Sequence, residues 1–233
     1  MKLMMVGGHT RNIGKTSVVA GLIRALPELN WTAVKITQFG HGVCSVNGEA
    51  CDCAVTEHQF SITEERETDS GTDTARFLAA GARRSLWVRT KQGELFTALE
   101  PFKQKIASDA FVIVESNSLR RFLKPTLYLQ VIDPTNADFK TSAQQFFDLA
   151  DAYLFVTQPD NDEAIIRQQI AQNVLLAREL QKNKPCFAVT LADGFINQAV
   201  IDFVSAKLAN DAVQAATELT AGTDDQVIYS IKS

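Results

Sequence analysis

The chain has 233 residues, 45% hydrophobic and 21% charged, an ordinary globular balance that suits one α/β domain and leaves little room for two. The formal net charge is −4, with no block of like charges, which argues against a general nucleic-acid binder. No apolar run is long enough to span a bilayer and no basic segment opens the chain, so a cytoplasmic location with no membrane partner is expected.

The first apolar run, Leu3–Gly7, predicts a strand, and an amphipathic pattern over Lys15–Leu26 predicts the helix behind it. Between them stands GGHTRNIGKTS, from Gly7 to Ser17. A Gly-Lys-Thr at a helix start is a phosphate-loop signature. The first backbone N–H groups of a helix have no partner inside it and converge with the positive end of its dipole. Gly14 would admit the phosphates to the backbone, Lys15 would reach the β- and γ-phosphates, and Thr16 would place its hydroxyl on Mg²⁺. Gly8, Thr10, Asn12, Ile13 and Ser17 complete the expected nucleotide cradle for ATP or GTP. The usual pattern sets its first glycine five residues before the second, which is His9 here; the glycine is Gly8.

Thr32–Thr37 predicts the second strand. From Gln38 to Gly71 the chain is polar and weakly periodic, an insert of a length that is usually functional or disordered. It holds His41, Cys44, Cys51 and Cys53 within thirteen residues, with His58 close behind. In a reducing compartment such thiols suggest a metal site, zinc ahead of an iron–sulfur cluster, with free or redox-sensing thiols as the alternative. Asp69 and Asp73 are candidates for Mg²⁺ or water positioning; Asp73 equally suits a helix N-terminus.

Further on, strands are expected at Ser85–Arg89, Phe111–Glu115, Leu127–Ile132, Ala152–Thr157 and Cys186–Leu191. Helices are expected at Thr74–Ala80, Glu94–Ala107, Ser142–Leu149, Glu163–Lys182 and Asn197–Leu208, with a last helix and an edge strand, Val227–Ile231, in the tail. Short continuous apolar runs alternating with helices predict a doubly wound, mostly parallel α/β sheet with helices on both faces, the architecture of P-loop NTPases. Glu115 ends one such run, where an NTPase needs a carboxylate for Mg²⁺. Arg83, Arg84, Arg120 and Arg121 form two basic pairs, either a phosphate clamp or a solvated face. Trp87, Phe102, Phe146, Phe147 and Cys186 read as core. Thr190–Asp193 lacks the Asn-Lys-x-Asp signature of guanine selectivity, which favours ATP.

The spacing of GHTRNIGKT resembles the phosphate loop of dethiobiotin synthetase and its relatives, and AVKITQFG resembles their second strand. The resemblance implies a place for Lys35 beside the γ-phosphate or the substrate. DSGTDTARFLAAGARRSLWV is similar to the segment before the third strand of the molybdopterin-guanine dinucleotide biosynthesis adaptor protein. Together these imply a Mg²⁺-dependent NTPase linked to cofactor biosynthesis, with catalytic roles for Lys15, Lys35 and Glu115. Two rivals stay open: an ATP-dependent ligase acting on a small carboxylate or carbamate, and a nucleotide-binding adaptor of a partner enzyme. The glycine-rich turn that follows the glutamate in the synthetase is Ser116-Asn117-Ser118 here. The same resemblance implies a homodimer across the nucleotide face.

Overall fold

The computed structural model describes residues 1–40, 60–136, 138–157, 178, 184–191 and 196–221, the side chains of 210–221 excepted. Eight strands form one sheet: β1 (Lys2–Gly8), β2 (Thr32–Phe39), β3 (Phe60–Glu64), β4 (Arg84–Lys91), β5 (Phe111–Glu115), β6 (Leu127–Ile132), β7 (Ala152–Thr157) and β8 (Cys186–Thr190). Their order is β3-β4-β2-β5-β1-β6-β7-β8, and every pairing is parallel except β3 with β4. The central strands β1, β5 and β6 are apolar and buried almost throughout, as both faces of a parallel sheet are covered.

The described helices are α1 (Lys15–Ala25), α2 (Asp73–Ala79), α3 (Leu99–Ile106), α4 (Thr141–Gln144) and α5 (Gln198–Ala221). Met4, Val6, Ile113 and Leu129 pack on one face against α1, Phe77 of α2, and Val200 and Val204 of α5. Met5, Val34, Val114 and Tyr128 pack on the other against Phe102 and Ile106 of α3 and against Phe146 and Phe147. The sheet is thus doubly wound, as expected. The chain leaves β1 for β2 on one side and later builds β6 to β8 on the other. The carboxyl ends of β1, β5 and β6 therefore border the point where strand order reverses, the usual place for a ligand crevice.

Several elements differ from the sequence expectation. Residues 60–64 of the insert form β3, whose Phe60 and Ile62 alternate with polar residues and pack on the core from the sheet edge. The expected helix from Glu94 begins as a 3₁₀ turn, Leu95–Ala98, before α3. Pro101 has no N–H to give the Thr97 carbonyl, which disfavours an α-helix already under way from Glu94 but is tolerated in the first turn of α3. The helix expected over Ser142–Leu149 is the short α4 followed by a 3₁₀ turn at Phe147–Leu149. Trp87 is only half-buried: its indole N–H donates to Thr37 Oγ1 at 3.0 Å and the Arg89 guanidinium lies over its ring. Cys186 is exposed rather than core, on β8, the outermost of the described strands on its side of the sheet. The helix expected at 163–182 lies outside the described residues apart from a helical position at Arg178, and the edge strand at 227–231 lies outside them altogether.

Candidate phosphate site

β1 hands the chain to α1 through a turn that contains two left-handed residues, Asn12 (φ 57°) and Gly14 (φ 88°). Gly14 is the N-cap of α1 and brings no capping side chain, and the first turn of the helix holds no acid. The N–H groups there are left to an outside partner. A side chain at Gly14 would run into Leu191, the residue after β8, so glycine is required there on two counts. A Cβ on Gly8 would come within 2.7 Å of Lys15 Cδ and 2.8 Å of Ile13 Cδ1, so the loop closes tightly over its own first glycine. Lys15 folds back, its ammonium donating to the Thr10 carbonyl at 2.8 Å, and burial holds its pKa below the ordinary lysine value. Ser17 faces outward and accepts from Arg76 Nη2 at 3.0 Å.

Beside the loop, three elements bring Lys35, Glu115, Asp73 and Thr16 together. Lys35 on β2 stands in register with Glu115 at the end of β5. The Lys35 ammonium lies 2.6 Å from Glu115 Oε1 and 2.8 Å from Asp73 Oδ2. Thr16 Oγ1 donates to Glu115 Oε2 at 2.8 Å. Burial alone would lower the Lys35 pKa, but the Glu115 and Asp73 carboxylates outweigh it and raise it. Burial would raise that of Asp73, and the Lys35 ammonium reverses the sign. Asp73 owes its place to Glu65, a residue that sequence reasoning passed over. The Glu65 carboxylate accepts from the backbone of Arg66 and Glu67 and from the hydroxyls of Ser70, Thr72 and Thr74. Thr72 in turn caps α2 by accepting from Ala75 N at 3.1 Å. Asp69 is exposed and is not drawn into the cluster.

Two further devices fix the loop, and neither was expected. Asn117 clamps Gly8 with both ends of its carboxamide: Gly8 N donates to Oδ1 at 2.9 Å and Nδ2 donates to Gly8 O at 2.7 Å. The side chain thereby continues a ladder that β5 itself ends at Glu115. The segment after β6 holds the next residues. His9 extends the β1–β6 ladder through its N–H to Val131 O. Its ring is fully buried, with Nε2 3.1 Å from Asn136 O, Nδ1 accepting from Asp133 N at 3.4 Å, and Phe139 against its face. Thr10 Oγ1 donates to Asp138 Oδ2 at 2.6 Å. The histidine at the usual glycine position is thus an anchor, and the strand runs one residue further before the loop turns.

No known family's sequence profile matches the chain, and no curated protein does. Among solved structures it is similar to HypB from Helicobacter pylori in complex with nickel, at 12% identity and a TM-score of 0.43, with 97% of this chain and 91% of that chain covered. A likeness that distant says nothing about activity.

The remaining expectations divide. His41, Cys44, Cys51 and Cys53, with His58, lie outside the described residues, as does the end of the Thr190–Asp193 segment. Among the described residues there is no group of three or more His, Cys, Asp or Glu side chains that could hold a metal ion. No described helix is long and apolar enough to cross a membrane. Arg83 is exposed, as on a solvated face, and Arg84 is partly buried. Both bind the buried Asp109 at the amino end of β5, and Arg84 also pairs with Glu64 at 3.1 Å. Arg121 donates to Gln145 Oε1 at 2.9 Å.

Proposed function

We propose that the chain binds a Mg²⁺–nucleoside triphosphate over Gly8–Ser17 and hydrolyses it, as a member of the cofactor-biosynthesis branch that its phosphate loop resembles. The observation that carries this reading is the Lys35 ammonium between Glu115 and Asp73, with the Thr16 hydroxyl on the same glutamate. A positive charge already sits among two carboxylates and a hydroxyl, all hard oxygen donors of the kind Mg²⁺ takes. Thr16, Glu115 and Asp73 would hold that ion, and it would supply neutralisation of the triphosphate's negative charge.

The chain's own groups supply the rest. Lys15 leaves a neutral carbonyl for the phosphates, exchanging a weak partner for a charged one. The open N-terminus of α1 and the loop N–H groups stabilise charge on the transferred group, and they are fixed before the reaction starts. Lys35, once Mg²⁺ took its place between the carboxylates, would be free to turn its charge toward the terminal phosphate. Catalysis of this kind is positioning and electrostatics, which suits a loop anchored by Asn117, His9 and Thr10. A ligase reading has less support, because the turn after Glu115 spends Asn117 on Gly8 instead of opening glycine backbone to a substrate.

Thermal unfolding with ATP or GTP, with and without Mg²⁺, tests the proposal. A ligand at about a hundred times its Kd stabilises the folded state by about 2.7 kcal/mol. That gain should need Mg²⁺ and vanish in Lys15→Ala. A Lys15→Ala protein that kept it would remove the phosphate-loop reading. Phosphate release without any acceptor would separate a hydrolase from an adaptor, and dependence on a small acid would reveal a ligase.

A further inference from the structure

The segment that clamps the loop also brings a cation to it. Lys140 stands just before α4, and its N–H donates to the His9 carbonyl at 2.9 Å. On its amino side, Asp138 holds Thr10 and Phe139 packs on the His9 ring. The Lys140 backbone is therefore fixed against the loop, and its side chain is half-buried. The charges that act on its ammonium are Lys15, Arg11 and Lys35 of like sign, and Asp138 of opposite sign. Asp138 is already engaged by Thr10, and Glu115 and Asp73 are engaged by Lys35. The Lys140 ammonium makes no hydrogen bond or ion pair among the described residues. Burial, and then the charges of Lys15 and Arg11, push its pKa down to about 8.

Like charges gathered in a half-buried place destabilise a protein unless an anion joins them. Among the described residues this side chain holds nothing that would give it a structural use. We propose that Lys140 is a phosphate-binding residue that contacts the terminal phosphate of the bound triphosphate. It reaches the phosphate from the β6 side of the sheet, as Lys35 does from the β2 side. The inference rests on the phosphate-loop reading, and adds a residue 124 positions beyond Thr16 to it.

The experiment measures equilibrium binding of a non-hydrolysable triphosphate analogue and of the diphosphate, each with Mg²⁺, to the full chain. Wild type, Lys140→Met, Lys140→Arg and Lys15→Ala are compared, with melting temperatures in the absence of nucleotide. Loss of one charge-assisted contact should weaken the triphosphate by about tenfold to a hundredfold in Lys140→Met, and spare the diphosphate. Lys140→Arg should retain the preference for the triphosphate. Without nucleotide, Lys140→Met should melt no lower than wild type, because it removes a repelled charge and no bond. Triphosphate binding by Lys140→Met at wild-type strength, with Lys15→Ala inactive, would overturn this inference and leave the phosphate loop standing. Equal weakening of both nucleotides, or a lower melting temperature without nucleotide, would overturn it too, by assigning Lys140 to the inner phosphates or to the fold. A wild-type protein that bound no nucleotide would bring down both readings together.

Discussion

The two ends of β5 each hold a buried carboxylate, and they are built for different work. At the amino end Asp109 meets two arginines, Arg83 and Arg84, and Arg84 reaches on to Glu64 of β3. At the carboxyl end Glu115 meets one lysine and one hydroxyl. Planar guanidinium forks bind carboxylates in fixed geometry, and they tie β3 and β4 to the turn before β5. An ammonium is a point charge on a flexible stem, easily exchanged for another cation. Only the carboxyl end lies beside an uncapped helix N-terminus and the lysines Lys15 and Lys140. A buried carboxylate is therefore no sign of function by itself. The kind of counter-ion, and the end of the sheet it occupies, distinguish a strut from a site.

Substitutions at the two ends should separate stability from binding. Asp109→Ala leaves Arg83 without its carboxylate and the mostly buried Arg84 with Glu64 alone, and should cost about 3 kcal/mol in denaturant unfolding. Its nucleotide-dependent gain in melting temperature should match wild type; a loss there would erase the distinction between the two ends. Asn117→Ala strips both hydrogen bonds from Gly8 and should cost about 2 kcal/mol, with weaker triphosphate binding because the loop loses its anchor. Glu115→Gln keeps an acceptor for Thr16 and leaves Lys35 with Asp73, so about 1 kcal/mol is expected in unfolding. Its binding defect should be the larger effect: the stabilisation by triphosphate should become the same with and without Mg²⁺. A Glu115→Gln protein that still responded to Mg²⁺ would place the ion elsewhere.

The fold was legible because continuous apolar runs such as Phe111–Glu115 are what a strand buried on both faces must be. The core of the site was legible for two reasons. Gly14, Lys15 and Thr16 are adjacent, so the helix start is written in consecutive residues. Glu115 ends an apolar run, where a polar side chain emerges at the rim, whereas Lys35 lies inside β2 and was placed only by the resemblance of that strand. What supports the site was not legible, because its pairings are distant in sequence. Asn117 meets Gly8 across 109 residues and Asp138 meets Thr10 across 128. Nothing local marks either residue as a partner of the loop. Glu65 is closer to what it holds, but one of three glutamates in a polar stretch, with Glu64 and Glu67, looks like any solvated side chain. His9 left the clearest trace: it broke the expected glycine pattern, and that break is where the β6 segment takes hold.

His9 also supplies the smallest effect by which the two ends can be told apart, because it puts a titration on the site side of the sheet. Its ring is neutral in the fold: Nε2 faces the Asn136 carbonyl and Nδ1 accepts from the Asp133 N–H, which leaves no room for a second ring proton. Burial lowers its pKa below 6.5, and the Asp133 charge only partly opposes this. In the unfolded chain the same imidazole takes up a proton near its ordinary value. Between the lowered folded pKa and about 6.5, the unfolded state binds the extra proton, so stability must fall as pH drops through that window. The slope is at most about 1.4 kcal/mol per pH unit for one group. Asp73 behaves as a separate case: its folded pKa is depressed, so its contribution is lost only at more acidic pH, below the ordinary carboxylate range. Urea unfolding from about pH 7 to about pH 5 should therefore show a decline that His9→Gln flattens and Asp109→Ala leaves intact. A decline of equal slope in His9→Gln would mean that the proton is taken up elsewhere, and that the β6 segment is not released from the loop by acid.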